Sequence, residues 1–83
     1  MNDKKALLLR LGISLYQLGI KVETARQRMR DLVNSSVPYE SEEMQTALQE
    51  LWALDSQWRS LEAQYLELRK EITAYSSYDK YDN

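Results

Sequence analysis

Between Glu42 and Tyr75 the apolar residues Met44, Ala47, Leu51, Leu54, Trp58, Leu61, Tyr65, Leu68, Ile72 and Tyr75 follow one another at alternating steps of three and four. That spacing puts them all on one narrow stripe of an α-helix, and such a helix needs a partner to cover the stripe. A second periodic segment supplies one. From Lys4 to about Asn34, Leu8, Leu11, Leu15, Leu18, Val22, Ala25, Met29 and Leu32 repeat at the same spacing. Gly12 and Gly19 are the weak points of this helix, each costing roughly 1 kcal/mol relative to Ala in a helix interior. They stand one heptad apart, directly after Leu11 and Leu18, and so flank the seam on one side. Two readings are open: tolerated helix glycines, or positions that let a neighbouring helix or an aromatic ring approach closely.

Asn34-Ser35-Ser36-Val37-Pro38-Tyr39-Glu40 lies between the periodic segments and holds the only proline. Pro38 disfavours a helical Val37 and cannot continue a helix from before it, so the chain turns here. Ser41 is placed to cap the second helix, with Glu42 and Glu43 in its first turn, and Arg26, Arg28 and Arg30 lie towards the end of the first. A short connection between long helices favours an antiparallel hairpin. Pairing Leu32 with Met44 sets Met29 against Ala47, Ala25 against Leu51, Val22 against Leu54, Leu18 against Trp58, Leu15 against Leu61, Leu11 against Tyr65 and Leu8 against Leu68. Every layer is apolar, and Lys21 and Arg28 run beside Glu43, Glu50 and Gln57. The expectation is an all-α single-domain hairpin, with helices at about 4–34 and 42–75, a turn at about 35–41 and a flexible tail at 76–83. At about 1.5 Å rise per residue, helices of roughly thirty residues give a rod about 45 Å long.

Composition then removes whole classes of chemistry. With no cysteine and no histidine among 83 residues, disulfides, thiol nucleophiles, histidine acid–base catalysis and the usual zinc sites are ruled out. No cofactor is expected. A net charge of −2 argues against a dedicated nucleic-acid binder. The apolar run Ala6 to Leu11 is too short for a membrane span, and it lacks the cleavage site of a signal peptide. A cytoplasmic location is expected, with secretion lacking a cleavable signal as the alternative. The carboxylates Glu50, Asp55 and Glu62 are spaced along a solvent-facing edge and read as charged surface. The cluster Lys21, Arg26, Arg28 and Arg30 reads the same way, since acidic residues face it from the second helix.

What the seam leaves over points to binding. Leu9, Ile13, Tyr16 and Ile20 form a second apolar stripe on roughly the opposite side of the first helix, and the second helix can cover only one of the two. Self-association into a four-helix bundle is the expected cover, with a heterologous protein as the alternative. Trp52 lies off the seam and with Leu48 and Leu66 gives the second helix a minor apolar patch. The candidate partner-binding residues are therefore Leu9, Ile13, Tyr16, Ile20, Trp52 and Leu66, in a small non-enzymatic adaptor, chaperone or regulator.

Two family resemblances bear on this reading. The run Val22-Glu23-Thr24-Ala25-Arg26-Gln27-Arg28-Met29, the turn, and then Leu48-Gln49-Glu50-Leu51-Trp52 resembles the helical-hairpin aspartyl-phosphate phosphatases of sporulation response regulators, whose second helix carries a Ser-Gln-Glu-Leu-Asp signature. The chain keeps Gln49, Glu50 and Leu51 but has Leu48 for the serine and Trp52 for the aspartate on which that activity depends. The resemblance implies a hairpin regulator without the acid. Tyr75 with Asp79, and Tyr78 with Asp82, have the tyrosine-to-acid spacing that resembles the small dimeric hairpins of type VII secretion. Those carry Trp-x-Gly at the turn, where this chain has Val37-Pro38-Tyr39. Neither family is adopted.

Overall fold

The computed structural model describes the backbone of residues 2–82 and the side chains of residues 3–73. Within them α1 (Asn2–Asn34) and α2 (Glu42–Asp82) pack against each other as a helical hairpin, and no strand occurs among the described residues. Every seam residue from Leu8 to Leu32 and from Met44 to Ile72 is buried or half-buried. The register is the one the layers require. Tyr65 packs over Gly12 and Trp58 over Gly19, each next to its expected layer partner Leu11 or Leu18, while Arg28 reaches Glu50 at 3.1 Å.

Burial is uneven along the rod. Val22, Ala25, Leu32, Met44 and Ala47 are the fully buried apolar residues, all in the half nearest the turn, and Met29, Val37 and Leu48 pack against the Leu32, Met44 and Ala47 cluster. The small Ala25 and Ala47 face larger residues there, and the loop closes the end of the layer. Further along, two helices alone cannot enclose a side chain from all directions. The layers from Leu18 and Trp58 outward are accordingly only half-buried.

The turn is built from hydrogen bonds that finish one helix and start the next. Ser36 has φ 61°, the left-handed conformation that ends many helices. Around it Val37 N–H donates to Leu32 C=O at 3.1 Å and Ser36 N–H to Val33 C=O at 3.0 Å, the pair of bonds of a Schellman motif. Val37 packs against the Leu32, Met44 and Ala47 cluster, where the apolar contact of such a motif falls. No basic residue lies in the last turn of α1, so backbone donors, rather than the arginines expected to help, satisfy its free carbonyls. At the start of α2 the Ser41 hydroxyl accepts from Met44 N–H at 3.1 Å, which is the expected N-cap. Gln45 Nε2 also donates to Tyr39 C=O at 2.7 Å, tying the loop to the new helix.

One boundary differs from expectation. α2 continues to Asp82 instead of stopping near Tyr75, and the rod measures 62 × 20 × 15 Å rather than 45 Å long. The heptad ends where α1 has no more surface to offer, but Ser76 to Asp82 contains neither glycine nor proline to break a helix. Loss of the heptad marks the end of pairing, not of helicity.

A serine in the left-handed region pays a steric penalty that glycine does not. Ser36→Gly should therefore raise unfolding stability by about 0.5–1 kcal/mol, net of the greater freedom glycine gives the unfolded chain. Thermal or urea denaturation measures it, and a loss of stability would contradict the Schellman assignment.

Candidate interaction surface

Leu9, Ile13, Tyr16 and Ile20 are all exposed, from 51% for Ile13 to 73% for Tyr16. At 100° per residue they centre about 150° around α1 from the seam, and Gly12 and Gly19 fall between stripe and seam. The stripe is therefore not isolated on the back of α1. Because the two glycines carry no side chain, it runs into the flank of the hairpin, where the outer edges of Trp58 and Tyr65 lie.

Two open grooves result, sharing Gly12, Tyr16 and Tyr65. One is bounded also by Lys5, Leu9, Ile13 and Gln17, the other by Leu15, Gly19, Ile20, Glu23 and Trp58. Together they form a largely apolar trough with Lys5 at one end and Glu23 at the other. A Cβ built on Gly12 would stand 3.4 Å from Tyr65 Cε2, and one on Gly19 would stand 3.4 Å from Trp58 Nε1. An aromatic ring lies over each glycine, but at a distance that does not itself require one. Both spacings are ordinary van der Waals contacts, so a methyl group fits at either position.

The patch on α2 is smaller than expected. Leu48 turns inward onto the turn-proximal core, leaving Trp52 (60%) and Leu66 (49%) exposed. Leu66 borders a separate shallow recess with Arg69, Lys70 and Thr73. Leu7, Val33 and Tyr39 are also exposed large apolar residues that the heptad reading passed over. By spacing alone Trp58 and Tyr65 belong wholly to the seam. Their contribution to the trough becomes visible only when the glycines are seen to fall on the same flank.

Several of the charged residues pair along and between the helices. Arg28 pairs with Glu50, Arg26 lies 3.8 Å from Asp55, and Glu23 holds Arg30 at 2.9 Å and Arg26 at 3.5 Å. Asp55 also takes Arg59 at 3.0 Å, and Lys4 lies 3.6 Å from Glu71. Exposed pairs of this kind contribute about 0.3–0.5 kcal/mol each, enough to favour a register but not to hold the fold. Among the phosphatase-like residues, Glu50 is bound up with Arg28, Leu51 sits in the seam, and Gln49 and Trp52 face solvent. The Tyr75–Asp79 and Tyr78–Asp82 spacings fall where side chains lie outside the described residues. Among the described residues no group of three carboxylates is placed to hold a metal ion, and no helix is long and apolar enough to cross a membrane.

Comparison with protein-family models, curated proteins and solved structures returns no match.

Because a methyl group fits over both rings, helix propensity should decide the effect of filling the glycines. Gly12→Ala and Gly19→Ala should each stabilise the hairpin by up to about 1 kcal/mol. Gly19→Leu should destabilise it, because its branched end must displace the Trp58 ring. Denaturation of the three variants checks this, and a less stable Gly19→Ala would show that the ring needs the bare backbone.

Proposed function

We propose that this hairpin is a non-enzymatic protein-binding module, an adaptor, chaperone or regulator that works through the α1 stripe and its trough. The proposal includes self-association through that surface into a four-helix bundle, without nucleic acid or cofactor. The observation that carries it is the exposure of Leu9, Ile13, Tyr16 and Ile20 in one continuous row beside a trough floored by glycine. Large apolar side chains are worth roughly 1.5–3 kcal/mol each on full burial. Scattered exposed leucines need no explanation, whereas a contiguous row does. The carboxylates support the non-enzymatic part. Glu50 is engaged by Arg28 on an open surface, and Asp55, half-buried in a small recess beside Trp58, is held there by Arg26 and Arg59.

Ile13→Glu with Ile20→Glu should give a monomer that keeps its helix content, since neither residue belongs to the seam. The same double change at Leu15 and Leu18 should unfold the hairpin. Light scattering and circular dichroism separate these outcomes. Wild-type protein that stays monomeric at high micromolar concentration removes self-association and leaves the stripe to another protein. Accelerated dephosphorylation of an aspartyl-phosphate receiver domain by the purified protein would overturn the non-enzymatic reading.

A further inference from the structure

We infer that the occupant of the trough is α1 of a second copy of this chain, lying antiparallel about a two-fold axis that passes between positions 14 and 15. This rests on the self-association proposed above and specifies its geometry. Leu9, Ile13, Tyr16 and Ile20 are spaced four, three and four, so the row reads the same in both directions. Laid antiparallel on itself, it sets Leu9 against Ile20 and Ile13 against Tyr16 of the second copy, with each pair occurring twice. Such self-complementarity is what an isologous two-fold interface requires. In this register the Tyr16 ring of the second copy falls opposite Gly12 and Ile13, where the trough floor has no side chain.

Spacing alone would also permit a parallel pair, and charge decides between them. Lys5 and Glu23 border opposite ends of the trough, and at 100° per residue they project from the same flank of the stripe. Antiparallel packing joins like flanks, so Lys5 of each copy comes level with Glu23 of the other. Parallel packing would join unlike flanks, setting Lys5 of one copy beside the Ala6 and Arg10 flank of the other and away from any Glu23, while placing the helix dipoles side by side in the same sense. Glu23 already engages Arg26 and Arg30, so its pairing with Lys5 selects orientation more than it adds affinity.

Nitroxide labels on single cysteines at Gln17→Cys and Thr24→Cys, in a chain with no native cysteine, test the arrangement by pulsed dipolar spectroscopy on the dimer. Both positions lie on the same flank of α1. The antiparallel pair places the two copies of residue 24 about 28 Å apart along the axis and those of residue 17 about 8 Å apart, at about 1.5 Å per residue. A Thr24 distance clearly longer than the Gln17 distance is the expected result. Equal or reversed distances in a protein that is dimeric by light scattering would overturn the antiparallel geometry while leaving self-association intact. A monomer at the labelling concentration would overturn both.

Discussion

Val37 N–H donating to Leu32 C=O, and Met44 N–H donating to the Ser41 hydroxyl, fix where the chain leaves one helix and enters the next. Everything further along the rod depends on that placement. A shift of one residue would turn the α2 seam by about 100° and expose a row of large side chains. Pro38 blocks a continuous helix, Ser36 supplies the left-handed residue, and Val37 anchors the loop on the Leu32, Met44 and Ala47 cluster. The strongest burial in the molecule lies beside the turn, with Ala47 only 2% exposed. Packing and hydrogen bonding thus converge on the same few residues. The more distant layers inherit their register from there and are held by half-buried contacts of their own.

The glycines show a conflict between what the hairpin needs and what the trough needs. Two glycines inside a helix cost about 2 kcal/mol relative to alanine, a sizeable share of the 5–15 kcal/mol by which a domain is stable. The rings of Trp58 and Tyr65 would accept a methyl group at either position, so the penalty has little return within one chain. The effect of the glycines is on the outer flank. Bare backbone at Gly12 and Gly19 connects the Leu9, Ile13, Tyr16 and Ile20 row to the aromatic edges, giving one open strip of apolar surface.

Most of the fold was legible in the sequence because a coiled-coil seam is written one residue at a time. The alternation of three and four steps gave the helices, apolar pairing gave the register, and Ser41 before Glu42 and Glu43 gave the cap. What was not legible depended on three-dimensional context. Ser36 in the left-handed region carries no signal, since glycine or asparagine is the usual residue there. The continuation of α2 to Asp82 was missed because a heptad reports a partner, not the helix itself. For the candidate surface, the exposed row was readable from spacing, but its union with Trp58 and Tyr65 was not. That requires knowing which flank of α1 the second helix leans on.

The burial gradient and the position of the exposed row belong together. The buried residues lie in the turn-proximal half, from Val22 to Leu32 and from Met44 to Ala47, whereas the row from Leu9 to Ile20 occupies the opposite half. There the Leu11, Leu15, Leu18, Trp58 and Tyr65 layers remain half-buried, because a pair of helices encloses a seam from two directions only. A helix laid in the trough would cover the row and, in the same step, close those layers from a third direction. Its contribution would extend beyond the four exposed side chains to aromatic surface that the hairpin has only partly removed from water. The open half of the rod is thus where an added helix would gain most, and the turn half, already enclosed, is where it would gain least.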